Sequence, residues 1–167
     1  MYRKFNLENN HLKFLIKFSD KMNFQIDTGF KIRCIGWNQE ISEKIGLYIV
    51  RHEKVGTYSL PWLHEIYPWS KSSIGECILH VDFLGNPFAV VQVLKLELMY
   101  FKEISQEHTN LDGPPVRDLN IWKKLHEEYW SRELKIINKK TTPEMPVVIE
   151  KFKCIFSLEE GFLDENS

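Results

Sequence analysis

The sequence predicts a mixed α+β domain built on a small, partly closed β-barrel with flanking helices, and three observations carry that reading. A turn, Leu84-Gly85-Asn86-Pro87, separates two strand-like runs and makes a hairpin. In the second run Gln92 is even-numbered while Lys95 and Glu97 are odd, so a strict period of two cannot put all three outside. A bulge or strong coiling near Val93 resolves this, a device that barrels use to bend their strands. The other strands are scattered among helices without forming βαβ units, which points to a mixed sheet.

Taken in order, residues 11–22 carry Leu12, Leu15, Ile16 and Met22 at helical spacing with Lys13 and Lys17 outward, an amphipathic helix. Residues 30–35 alternate Phe30, Ile32 and Cys34 against Lys31 and Arg33, as in a strand. Asn38 caps a helix through about Arg51 that buries Ile41, Ile45 and Ile49. Residues 54–62 are extended before Pro61. Strands follow at 76–83 and 88–101, then a brief helix at 102–108. Asp118 caps the longest helix, 118–137, and 146–156 is the last strand. The expected organisation is an N-terminal helical extension over 1–28 packed on a domain spanning 29–158, with an acidic tail over 159–167 that frays.

A chain of 167 residues is long enough to bury a substantial core in one domain. A net charge of −1 argues against a strong non-specific grip on duplex DNA, while a small nucleotide pocket stays open. Cys34, Cys77 and Cys154 are odd in number, widely spaced and set among apolar residues, which reads as reduced thiols of a cytoplasmic protein. The six histidines show no metal-ligand spacing, so neither metal nor cofactor is expected. No apolar run reaches the roughly 20 residues of a membrane span, and the N-terminus does not read as a signal peptide.

Two segments concentrate chemistry that a core does not need. Lys54-Val55-Gly56-Thr57-Tyr58-Ser59-Leu60-Pro61-Trp62 packs an ammonium, two hydroxyls, a phenol and an indole into nine residues. Asp112-Gly113-Pro114-Pro115-Val116-Arg117-Asp118 opens the aromatic-rich long helix. If they meet in space they enclose a polar, aromatic-walled cleft. Together with Asp82-Phe83-x-Gly85-x-Pro87 and the run Asp118-Leu119-x-x-Trp122-x-x-x-His126-x-x-Tyr129-Trp130, these motifs resemble the ASCH domain family over roughly residues 30–156. The resemblance implies a PUA-like fold, a β-barrel with flanking helices, and binding of RNA or a modified nucleoside-like small molecule.

Some members of that family resemble ribonucleases of single-stranded RNA, and a smaller one is an amidohydrolase of N4-acetylcytidine. By the amidohydrolase pattern Lys54 and Thr57 fall at the site, with Asp112 in place of a Glu. By the ribonuclease pattern Tyr48 and Lys54 match, while Asp118 stands where a Ser is expected. The usual Glu-Gly-Glu-Gly is replaced by Asp112-Gly113-Pro114-Pro115, a shorter carboxylate on a loop stiffened by two prolines.

Each candidate carries a plainer alternative. Lys54 can stabilise an oxyanion or contact a phosphate, or be a solvated Lys at a helix end. Thr57 is a nucleophile only with a base in reach, and otherwise a strand residue on the same face as Ser59. Asp112 can move a proton, hold Lys54 in place, or simply make a turn with Gly113. Arg117 has a fork suited to an anion, and Asp118 suits a helix cap. Trp62 is a candidate pocket wall, Glu65 a candidate lining residue or a surface one, and Trp122, His126, Tyr129 and Trp130 form a stripe that suits core packing. The cations Lys123, Lys124, Arg132, Lys135, Lys139 and Lys140 are interrupted by Glu127, Glu128 and Glu133, as on a solvated helix face. The expected activity is recognition of RNA or a nucleoside, with or without metal-independent hydrolysis. A non-catalytic RNA reader and a small-molecule binder unrelated to RNA are the alternatives.

Overall fold

A five-stranded mixed sheet in the order β1-β3-β4-β5-β2 forms the centre of the molecule, seen in a computed structural model that describes residues 3–26 and 30–158. The strands are β1 (Lys31–Cys34), β2 (Gly56–Ser59), β3 (Cys77–Val81), β4 (Pro87–Tyr100) and β5 (Pro146–Ser157). Only β1 and β3 run parallel; β3–β4, β4–β5 and β5–β2 are antiparallel. Among the described residues five α-helices flank the sheet: α1 (Asn9–Met22), α2 (Gln39–Val50), α3 (Pro61–His64), α4 (Gln106–Thr109) and α5 (Leu119–Leu134).

The polar residues of β4 that break the two-residue period do so at a bulge. Its register against β5 shifts between Val90 and Val91 and again between Val93 and Lys95, leaving Leu94 unpaired and exposed. Each shift bends the strand and increases its twist. The sheet therefore curls into a half-barrel. In a flat sheet β1 and β5 would lie three strand spacings apart, about 14 Å. Here the Arg33 guanidinium of β1 reaches across the concave face to the Glu150 carboxylate of β5, with Nη1 at 2.6 Å from Oε1. Arg33 therefore faces inward.

Three apolar clusters hold the layers together. Phe14, Leu15 and Phe18 of α1 pack on Ile32, Leu79, Val90 and Phe156. Ile49 of α2 packs on Phe88, Val91, Val93 and Phe152. Trp122, Trp130 and Leu134 of α5 join Leu60, Leu63, Phe101 and Val147. The N-terminal helix is further tied to the hairpin turn, since His11 Nε2 lies 2.7 Å from the Gly85 carbonyl oxygen. Gly85 holds φ +93°, and a Cβ there would stand 3.0 Å from the Phe5 ring.

Helix ends follow local chemistry. The Asn38 side chain accepts from the Ile41 N–H, and the Asp118 carboxylate accepts from the Asn120 and Ile121 N–H groups. The helix expected over 102–108 is instead a 3-10 turn, Phe101–Glu103, followed by α4. Gln106, the first residue of α4, donates to the Arg117 carbonyl and accepts from the Leu119 N–H, which holds α4 against the start of α5. The long helix ends at Leu134 and tightens into a 3-10 turn over Lys135–Ile137. Residues 159–167, expected to be a tail, lie outside the described residues. Among the described residues no helix is long and apolar enough to cross a membrane.

A candidate ligand cavity inside the half-barrel

The concave face of the sheet, α2, the middle of α5 and the loop before that helix enclose a cavity of about 660 Å³. That is within the size range of small-molecule sites. Tyr48, Lys54, Thr57, Ser59 and Asp112 all line it, so the two polar segments do meet in space.

Lys54 is aimed inward by the way α2 stops. His52 takes a left-handed conformation at φ 59°, and the N–H groups of Glu53 and Lys54 both donate to the Tyr48 carbonyl. The ammonium, on a residue only 5% exposed, forms an ion pair with Asp112, which is 6% exposed. Asp112 is held by three donors. Oδ1 accepts from Lys54 Nζ and from the Gly113 N–H at 2.7 Å, and Oδ2 accepts from Trp122 Nε1 at 3.2 Å. Burial alone would raise this carboxyl, but the Lys54 charge and hydrogen bond outweigh it and hold Asp112 below the ordinary value. Gly113 is needed beside it for space, because a Cβ would stand 2.9 Å from the Tyr48 ring.

A second buried ion pair faces the first. Arg33 donates to both oxygens of Glu150, at 2.6 and 3.2 Å, and to the Ser72 hydroxyl at 2.5 Å. Here too burial favours the neutral acid, and Arg33 overrides it, so Glu150 stays below its ordinary range. Thr57 sits opposite Glu150 in the β2–β5 ladder, and its hydroxyl makes no hydrogen bond among the described residues. Ser59, two residues on, bonds its hydroxyl to His64 Nε2 at 3.0 Å.

Aromatic rings complete the enclosure. Trp37, in the loop between β1 and α2, is 47% exposed and stands 6.5 Å from Tyr129 of α5, ring centre to ring centre, at 31°. Deeper in, His126 stacks on Trp122 at 3.8 Å and 19°, with its Nδ1 at 3.0 Å from the Trp122 carbonyl oxygen. Burial drives the His126 ring down to about 4 against the opposing pull of Asp112, so it is neutral at pH 7.

Four candidates stand away from the cavity wall. Arg117 is spent on the scaffold: Nε donates to the Asp112 carbonyl at 2.9 Å and Nη2 to the Glu53 carbonyl, clamping the two polar segments together. Asp118 caps α5. Trp62 lies under the Lys139 ammonium, 4.3 Å from its ring centre, and packs against the α5 core. Glu65 is exposed at the end of α3. The Trp122–Trp130 stripe divides: both indoles are buried in the core, but Trp130 also lines the cavity with His126 and Tyr129, and Trp122 does not.

Arg33, Glu150, Trp37 and His64 were missed as site residues. A charged residue inside the central strand β5 is the one signal that pointed to an inward-facing pair. Trp37 follows Gly36 in a short loop, with no periodicity to place it.

The family model described as ASCH domain matches residues 33–156. Two crystal structures share the fold. One is a protein from Enterococcus faecalis V583, with TM-score 0.78 and 20% identity over 87% of this chain and 88% of that one. The other is an ASCH domain from Lactobacillus crispatus JV V101, with TM-score 0.78 and 17% identity over 92% of this chain and 98% of that one. No curated protein matches the sequence. The curled sheet with its flanking helices is thus the PUA-like barrel.

Proposed function

Because this chain belongs to the ASCH domain family, we propose that its cavity binds one nucleoside unit, either free or as an unpaired nucleotide of RNA. The observation that supports this most directly is the combination of an exposed aromatic mouth with a polar, buried floor. Single-stranded RNA is read by stacking unpaired bases on aromatic rings and hydrogen-bonding their edges. Trp37 and Tyr129 offer the stacking surface. The Thr57 hydroxyl, together with the remaining lone pairs of Glu150, offers polar partners for a base edge or a ribose. Three unpaired thiols fit a cytoplasmic setting.

Quenching of tryptophan fluorescence on titration with nucleosides and short single-stranded RNA tests the reading. Saturable binding is expected, weakened about tenfold or more in Trp37→Ala, since stacking on one ring contributes about 1–3 kcal/mol. Trp37 is half exposed, so the variant keeps its fold. Absence of binding to every nucleoside and RNA would move the function to a small molecule unrelated to RNA.

A hydrolytic version draws on the unengaged Thr57 hydroxyl in the same cavity as Lys54. A water held by Thr57 attacks the amide carbon or the phosphorus, its proton passes to the departing nitrogen or oxygen, and the Lys54 ammonium stabilises the developing charge. A carboxylate held as low as Asp112 is a weak base, so its part is to position Lys54. Mass spectrometry of single-stranded RNA containing N4-acetylcytidine separates the versions. Cleaved strands or lost acetyl groups identify an enzyme, and intact RNA with retained binding identifies a reader.

A further inference from the structure

We infer that Ser59, on the cavity wall, and His64, hydrogen-bonded to it, form a nucleophile–base pair suited to acyl transfer from an ester or amide small enough to enter. The inference rests on the reading of the cavity as the ligand site. It goes beyond that reading in assigning a reaction centre that neither Lys54 nor Asp112 supplies.

The geometry singles out this pair. A hydroxyl is a poor nucleophile unless a base stands within about 3 Å of it. Thr57 has no such base among the described residues, and Asp112 is engaged by Lys54, Gly113 and Trp122. Ser59 Oγ lies 3.0 Å from His64 Nε2 and lines the cavity. The chain makes the pair locally: Ser59 ends β2, Pro61 starts α3, and one helical turn returns His64 to the strand. A base must also be unprotonated to act. Burial and the nearby charges of Lys71 and Arg33, with a smaller push from Lys31, lower His64 below its ordinary value, while Glu150 opposes them. His64 is therefore neutral at pH 7.

In the step, Ser59 Oγ bonds to the acyl carbon as its proton passes to Nε2. The carbonyl oxygen takes the negative charge in a cavity that holds the Arg33 and Lys54 cations. The leaving oxygen or nitrogen departs with its electron pair and the proton from His64. Water then attacks the acyl carbon, gives its proton to His64, and the acid leaves as Ser59 recovers its hydrogen.

An alkyl fluorophosphonate tests the pair, since an activated serine displaces fluoride and keeps the phosphonyl group. The full chain is expected to gain one phosphonyl mass, mapped to Ser59. The gain disappears in Ser59→Ala and slows about 100-fold or more in His64→Gln. Its rate falls as pH drops through a midpoint below the ordinary histidine value. No adduct at Ser59, or equal rates in wild type and His64→Gln, overturns the inference. Nucleoside titration of the same preparation keeps the two readings apart: binding without an adduct rejects the Ser59–His64 pair alone, and an adduct without nucleoside binding rejects the nucleoside alone.

Discussion

The Lys54–Asp112 pair shows why a single side chain in this cavity cannot be judged alone. Each charge is buried, and each is compensated by the other. Lys54→Ala leaves the carboxylate without its cation, and truncating one partner of a buried pair costs about 3–5 kcal/mol. Urea unfolding should show that loss in the single variant, and the added change Asp112→Asn should recover much of it. Loss of activity in Lys54→Ala is therefore informative only beside this stability measurement. His126 sets the acid limit of the same site. Its folded pKa of about 4 lies below the ordinary value of about 6.5, so the unfolded chain binds the proton first. Stability is full above about pH 6.5 and falls by roughly 3 kcal/mol as pH drops to about 4. His126→Asn keeps a donor near the Trp122 carbonyl and should flatten that window in urea midpoints measured against pH. Some slope will remain, because burial also pushes the fully buried His80 well down. Below about pH 4, Asp112 and Glu150, both held low, lose their contributions as they are protonated through their folded values. At this scale, the spacing of Lys54 and Thr57 and the turn at Asp112 were legible because they lie in short local motifs. The Arg33–Glu150 pair was not, because it spans 117 residues and depends on which face of a curled sheet is concave.

Among the elements, α1 does more than precede the domain. The family match begins at residue 33, yet Leu15 and Phe18 of α1 are fully buried against the sheet. Phe18 contacts three other rings, with centres 5.1 Å away at Phe24, 5.6 Å at Phe156 and 6.3 Å at Phe30. Phe18→Ala should cost about 3–5 kcal/mol, as for other large-to-small changes in a core. Urea unfolding that shows no loss would make α1 an independent appendage. The heptad-like spacing of Leu12, Leu15 and Ile16 gave the helix but not its buried face, which is His11, Phe14, Leu15 and Phe18. Leu12 and Ile16 remain exposed, because the sheet presents its groove on the side of the phenylalanines. The β4 bulge, in contrast, was readable from one local conflict of parity among Gln92, Lys95 and Glu97. A two-residue period admits no other resolution within one continuous strand.

For the molecule as a whole, curling the sheet converts three strand spacings between β1 and β5 into a shared interior, and the charge arrangement decides what that interior can hold. Its two main cations are already paired with carboxylates, and the net charge is −1. Cations outside the cavity are partly spent as well, with Lys123 over Phe101 and Lys139 over Trp62. A protein that tracks a strand by its phosphates loses affinity with salt at a log–log slope of about −0.7 per phosphate neutralised. A cavity that recognises one base by stacking and hydrogen bonds releases few counterions. Binding of single-stranded RNA should therefore show a slope shallower than about −1 between about 50 and 200 mM salt. A mononucleoside should retain most of the affinity of the strand. Fluorescence titrations across that salt range measure both quantities. A slope of about −3 or steeper, with the mononucleoside binding far more weakly, would place recognition on the outer surface, along the basic residues of α5 and its exit, instead of inside the half-barrel.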